Sequence, residues 1–293
     1  MSAGGAVGGF VRNSASLVKL SHSVFALPFA LLSLLVATDG RPSLRLLGLV
    51  VAAVVCARTA AMAWNRWADR AIDAANPRTV GREIPRGAMS AGSVLALALG
   101  SVAAFLFVCW LLGPVCLAMG FPVVAWLLLY SHAKRFTWLC HLWLGIALGL
   151  SPVAAAVAAQ GTLAAAWGGP ALLGAAVALW VAGFDVLYAC QDEGFDRQHG
   201  LHSIPAAFGA RGARWCSRLL HAGAFVLLVA YGTVAGLGTG WTVGLALAAG
   251  LLGWQHWLLR SGDLTRIDAA FFTANGLLSA AMFAAACLDL YAW

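Results

Sequence analysis

Nine long apolar stretches, separated by short polar breaks, run along the chain. A helix needs about 20 apolar residues to cross a bilayer, and each stretch approaches or exceeds that length. They predict helices over roughly 16–38, 43–68, 90–112, 114–133, 138–160, 166–191, 211–236, 240–260 and 266–291. The breaks alternate in character. Those after the first, third, fifth and seventh helices are nearly uncharged, as in Gly113-Pro114 and Gln160-Gly161-Thr162, whereas those after the second, fourth, sixth and eighth are long or charged.

Composition sharpens this pattern into a class. The 293 residues are 62% hydrophobic and only 10% charged, against about a quarter charged in soluble domains. A water-soluble enzyme and a disordered chain are both excluded. The 33 glycines suit close helix contact in lipid. An all-α, polytopic membrane protein is expected, with one transmembrane domain over 1–293. The run after Arg12 and Lys19 carries no convincing cleavage site, so it reads as a first span and not a signal peptide. Seven cysteines without metal-ligand spacing read as small hydrophobes.

The net charge of +7 needs no nucleic acid to explain it. Of 18 Lys and Arg, only Arg41 and Arg45 lie on the uncharged side of the breaks; the other 16 lie on or toward the opposite side. Cytoplasmic loops collect such residues. The N-terminus and charged loops are therefore expected in the cytoplasm and the C-terminus outside, in a bacterial inner membrane. Nine of the 11 acids also gather toward the cytoplasmic face. Retention signals need only Lys and Arg, so these carboxylates point to a site for a charged substrate.

The acids are ordered. Asn65, Asp69 and Asp73 are four residues apart at the end of the second helix, which predicts one shared helical face. Asp192 and Asp196 repeat the spacing at the end of the sixth helix, with Asp185 deeper, seven residues before Asp192. Each cluster runs into a polar loop with a similar phrase, Ile84-Pro85 in one and Ile204-Pro205 in the other, so the halves read as a degenerate duplication. Like carboxylates at this spacing repel, and near hydrocarbon they need partners. Divalent cations supply them, and hard oxygen ligands without His or Cys favour Mg²⁺. Mg²⁺ completes its shell with water and phosphate, which implies a diphosphate substrate. Arg78, Arg82, Lys134 and Arg135 are the nearby cations for its oxygens. The plainer alternative is a set of solvated helix ends paired with arginines.

Taken together, the chain resembles the UbiA-type intramembrane aromatic prenyltransferases over nearly its whole length. The resemblance rests on Asn65-x-x-x-Asp69-x-x-x-Asp73, Asn76-Pro77-Arg78-Thr79, Arg82-x-x-Pro85, Tyr130-x-x-x-Lys134 and Tyr188-x-x-x-Asp192-x-x-x-Asp196. Phe25-Ala-Leu-Pro-Phe29, Lys134-Arg-Phe-Thr-Trp138 and Gly200-Leu-His-Ser-Ile-Pro205 look nearest to bacterial 4-hydroxybenzoate polyprenyltransferase-like members, a branch that includes enzymes of menaquinone synthesis. Arg66 stands where the family commonly has Asp or Gln.

This resemblance implies nine helices around a central cavity, capped by lid loops at about 74–89 and 197–210. It implies transfer of a prenyl chain from polyprenyl diphosphate to an aromatic acid, 4-hydroxybenzoate or a dihydroxynaphthoate, for ubiquinone or menaquinone. Asn65, Asp69, Asp192 and Asp196 would hold Mg²⁺, with Asp73 close by, and the chain would sit in the lipid bilayer. Arg58, two turns before Asn65 and deep in the membrane, is assigned to the acceptor; its alternative is a structural pair with Asp185. Tyr130 or Asp185 would orient the phenol or take a proton. Tyr188 belongs to the second motif. His22 reads as an interior hydrogen bonder, and His132, His141, His221 and His256 show no ligand spacing. An ion-coupled transporter is the main rival, but no span carries charge through to the other face. A structural subunit would have no use for paired acidic motifs. Haem, chlorophyllide and glycerol phosphate remain the other acceptors of the family.

Overall fold

The computed structural model describes residues 25–260 and 264–292 together with Leu17 and Gly262. Arg12, Lys19, His22 and Asp263, with most of the first half of the opening helix, lie outside the described residues. Every regular element among the described residues is helical: α1 (Leu27–Ala37), α2 (Leu44–Ala68), α3 (Arg70–Ala75), α4 (Ala91–Leu112), α5 (Pro114–Leu129), α6 (Cys140–Gln160), α7 (Gly169–Ala189), α8 (Glu193–Gln198), α9 (Ile204–Val234), α10 (Thr239–Leu258) and α11 (Ala274–Tyr291). Tight 3₁₀ turns occupy Tyr130–Arg135, Leu163–Ala166 and Cys190–Asp192, and a π turn, Ala269–Thr273, leads into α11.

Local chemistry sets the boundaries. The Ser43, Ser90 and Ser203 side chains accept the N–H of Leu46, Ser93 and Ala206, capping α2, α4 and α9. Proline opens α1, α5, α7 and α9, where its missing N–H costs nothing. The seventh helix starts at Ile204, earlier than the expected 211, because Ile204–Pro205 begins a helical turn that Gly209 (φ 72°) then breaks. Residues 204–208 of the second expected lid are therefore helical, as are residues 74–75 of the first, which finish α3.

Among the described residues, seven helical stretches are long and apolar enough to cross a membrane: α2, α4, α5 with its 3₁₀ turn, α6, α7 through α8, α9, and the π turn with α11. The described part of α1 is a shorter apolar helix, and α10 is not among the seven. The chain is an integral membrane protein. Its helices pack in a closed circuit, α1 on α2, then α4, α5, α6, α7, α9, α10 and α11, which returns to α1; α1 also lies against α6.

Close backbone approach fixes α6 on α7. Gly145 and Gly149 lie against the carbonyls of Ala178 and Gly174, and a Cβ at Gly174 would stand 2.7 Å from the Gly149 carbonyl oxygen. Pro152 lies inside α6 and cannot donate to the Leu148 carbonyl, but the Ser151 hydroxyl does so at 2.7 Å. Asp289, on the face poor in charge, accepts the N–H groups of Gly238, Gly240 and Trp241 at 2.7–2.9 Å and caps α10 from α11.

Gly174→Ala should lower stability by about 1–3 kcal/mol through overpacking. Gly100→Ala, in open space on a helix of the same kind, should raise it by about 0.4–1 kcal/mol. Thermal unfolding of the two variants in detergent checks these opposite signs.

Candidate functional site

Both acidic motifs sit at the same kind of break in a helix. The α2 helix ends at Ala68, Asp69 takes φ −93° and ψ 6°, and the six-residue α3 follows. At the other motif Asp192 takes φ −103° and ψ 3° and leads into the six-residue α8. Asp73 and Asp196 fall in the first turn of these short helices. The second helix ends at Ala68 as expected, so Asn65 lies on α2, Asp69 at the break and Asp73 on α3. The face survives because Asp69 N–H donates to the Asn65 carbonyl at 2.9 Å and Asp73 N–H to the Asp69 carbonyl at 2.8 Å. Neither Asp69 nor Asp192 spends its side chain on capping the helix that follows.

Their carboxylates go elsewhere. Asp69 accepts Asn65 Nδ2 at 2.9 Å and the Arg135 guanidinium at 3.0 Å. Asp73 takes both oxygens to Arg82, at 2.7 and 2.8 Å. Asp192 accepts Asn76 Nδ2 at 3.0 Å and Arg78 Nε at 2.8 Å, and its second oxygen meets the other arm of the Arg78 fork. The loop after the first motif therefore reaches the second. Asp196 accepts the Ser203 hydroxyl at 2.9 Å. Lys134 lies within Coulombic range of Asp192 and Asp196, and its carbonyl accepts His202 N–H at 2.7 Å.

Burial tightens these pairs. Asp69, Asp73 and Asp196 are all buried, and a buried carboxylate without a partner would be costly. Burial alone would weaken the charge on Arg78, but the hydrogen bond and charge of Asp192 outweigh it and hold the guanidinium pKa above its ordinary value. The Arg78 guanidinium also lies over the Tyr188 ring at 5.4 Å, and Phe271 packs against that ring with centroids 4.4 Å apart.

A second, deeper group adjoins the first. The Tyr130 hydroxyl lies within Coulombic range of Asp185, Asp69, Arg66 and Arg82, and Arg58 within range of Tyr130. Asp185 does not form the ion pair with Arg58 that was the sequence alternative. Its partner is His141, with Nδ1 2.7 Å from Oδ2. Four contacts escaped the sequence reading: His141 on Asp185, Asn76 on Asp192, and those of Arg66 with Asn65 Oδ1 at 3.5 Å and with Glu83 at 3.7 Å. His141 is 44 residues from Asp185, so no spacing could reveal that pair. Asn76, in the motif Asn76-Pro77-Arg78, was visible as a residue but not as a bridge.

Asn65, Asp69, Asp192 and Asp196 offer oxygen donors alone, which suits a hard divalent cation. Among the described residues no three Asp, Glu, His or Cys side chains stand close enough to hold a metal ion. Arginine guanidinium groups supply positive charge to Asp69 and Asp192 instead. The arrangement can bind anions through Arg78, Arg82, Arg135 and Lys134, or cations through the acids, by exchanging these internal partners.

The likenesses to known proteins agree with this geometry. The family model described as "UbiA prenyltransferase family" matches residues 26–277. A 4-hydroxybenzoate octaprenyltransferase of Nitrosococcus oceani is 33% identical over 83% of this chain and 84% of its own length. That of Alkalilimnicola ehrlichii is 32% identical over 94% of both. The apo structure of a UbiA homolog from Aeropyrum pernix K1 superposes with a TM-score of 0.84 at 37% identity, covering 92% of this chain and 98% of that one. A UbiA homolog from Archaeoglobus fulgidus bound to DMAPP and Mg²⁺ has a TM-score of 0.74 at 17% identity, covering 96% and 100%. With the acidic motifs, the helical circuit and the sequence match in agreement, the chain belongs to the UbiA prenyltransferase family.

Proposed function

We propose that the protein transfers a polyprenyl group from polyprenyl diphosphate to an aromatic acid, 4-hydroxybenzoate or a dihydroxynaphthoate, in quinone biosynthesis. The observation that carries this reading is the pair of acidic motifs at matched helix breaks, joined where Asn76 and Arg78 meet Asp192. Relatives named as 4-hydroxybenzoate octaprenyltransferases supply the acceptor class. The homolog bound to DMAPP and Mg²⁺ supports a prenyl diphosphate and a divalent cation as its companions.

In this reading Asn65, Asp69, Asp192 and Asp196 would hold Mg²⁺, with Asp73 beside them. When bound, Mg²⁺ supplies charge neutralisation to the departing diphosphate. Arg78, Arg82, Arg135 and Lys134 exchange carboxylate for phosphate oxygens and share that neutralisation. The carbon–oxygen bond breaks to give an allylic cation and diphosphate, and Tyr188, beneath Arg78, belongs to the residues that bind the substrate. The acceptor ring forms a new bond through the carbon ortho to its hydroxyl and loses that carbon's proton. Arg58 binds the acceptor carboxylate, and Tyr130 and Asp185 face its hydroxyl. Loops 74–89 and 197–210 exclude water that would quench the cation.

The whole chain, 1–293, acts as one domain with nine membrane crossings, counting α1 and α10. The N-terminus and the site lie on the cytoplasmic side of a bacterial inner membrane and the C-terminus lies outside, as the charge asymmetry supports.

Membranes containing the protein, Mg²⁺, prenyl diphosphates of several lengths and a panel of aromatic acids should yield prenylated acid by mass spectrometry. Asp69→Ala and Asp192→Ala should each lower turnover by about 10²-fold or more while membrane insertion persists. Near-normal turnover in both would refute the metal assignment. Chelation of divalent cations should stop diphosphate release, and restored Mg²⁺ should recover it. Solute flux into proteoliposomes without product would favour a transporter instead.

A further inference from the structure

We infer that His141 is a positioning residue that fixes Asp185 as the carboxylate receiving the hydroxyl of the aromatic acceptor, an inference that rests on the function proposed above. One imidazole ties three helices together: His141 is the second residue of α6, Asp185 lies on α7, and Ile204 opens α9. Ile204 N–H donates to His141 Nε2 at 3.3 Å, so that nitrogen spends its lone pair there. The neutral ring then carries its proton on Nδ1, which points at Asp185 Oδ2 from 2.7 Å. The tautomer is thus dictated by the backbone of α9.

The exposures of the two groups differ in a telling way. The His141 side chain is 4% exposed and that of Asp185 is 25% exposed, although Phe184, Val186 and Leu187 around it are buried. A carboxylate inside a membrane helix faces a polar interior space, not lipid. Asp185 lies seven residues, about two helical turns, before Asp192 along the same stretch of chain, so that space lies beneath the second acidic motif. His141 engages Oδ2 and leaves Oδ1 for a donor. A phenolic or naphtholic hydroxyl is such a donor, and accepting it enriches the ring carbon that must attack. The same stretch of chain holds the other half of the site, because Ser203, immediately before Ile204, donates to Asp196. His141 therefore sets the distance between the acceptor carboxylate and the acidic motif that faces the diphosphate.

Two amide substitutions separate this role from a merely structural one. Asparagine places an N–H near the position of Nδ1, whereas glutamine places a carbonyl acceptor near that of Nε2. Kinetics are read in membranes at equal inserted protein, with each substrate titrated against saturating partner. His141→Gln and Asp185→Asn should each raise the KM for the aromatic acid about tenfold or more, with the KM for prenyl diphosphate changed by less than about twofold. His141→Asn should keep the acceptor KM within about threefold of the parent. The double variant His141→Gln/Asp185→Asn should be no worse than Asp185→Asn alone. A normal acceptor KM in His141→Gln or Asp185→Asn, or an equal rise in both KM values, would overturn the inference and leave His141 as an anchor for α9. No prenylated product from the unsubstituted protein with any acid would overturn the proposed function, and this inference with it.

Discussion

Charge at the edge of hydrocarbon has to be answered locally, and the contact of Arg78 and Asn76 with Asp192 is where this protein answers it across its two halves. Asp192 stands at the end of α7, and Arg78 on the loop that follows α3. Without that contact, a half-buried carboxylate would lose its counter-ion and the loop its attachment to the second motif. Around it the other pairs, Asp69 with Arg135 and Asp73 with Arg82, repeat the same solution within reach of one another. The apolar circuit of helices gives these pairs a rigid rim. Glycines let α6 and α7 touch, and Asp289 pins α10 to α11 at the opposite face.

The helix breaks give the duplication physical content. In each half, an aspartate leaves helical geometry at nearly the same φ and ψ, starts a helix of six residues and does not cap it. The second aspartate then lies one turn on. A straight helix would carry its side chains outward along one line. The break changes the direction of the chain between the two aspartates of each motif, while in the first motif the i to i+4 backbone bonds keep them on one side.

Much of this was legible in the sequence because long apolar runs and four-residue spacings are local signals. The α2 and α4 boundaries fall within one residue of the expected ones, since Ser43 and Ser90 announce their caps. The acidic motifs were legible for the same reason, and so was the cationic set around them. What was hidden depends on the third dimension. The helix ends at Ala68 and just before Asp192 were legible, but the six-residue helices that follow Asp69 and Asp192 were too short to show as apolar runs. Gly209 did mark a break, but the helical turn before it, 204–208, is too short to stand out as an element of its own. His141 and Asp185 meet across 44 residues, and the meaning of the histidine depends on the backbone of a third helix. The membrane crossings were partly legible: seven stretches pass on length and apolarity, whereas α1 and α10 do not.

The internal pairing of Arg78 with Asp192 has a consequence for the order in which ions can occupy the chamber. An anion that takes Arg78 leaves Asp192 exposed beside it, and a cation that takes Asp192 strands Arg78. Either visitor alone breaks one bond and abandons a charge. Both together satisfy each side at once, so under the proposed function a neutralised pair arriving in company is favoured over either ion alone. The loop that bears Arg78 keeps its other ties through such an exchange, Arg82 on the Asp73 carboxylate and the Thr79 hydroxyl on the Asp73 carbonyl, so the partners of Arg78 can change while the loop stays in place.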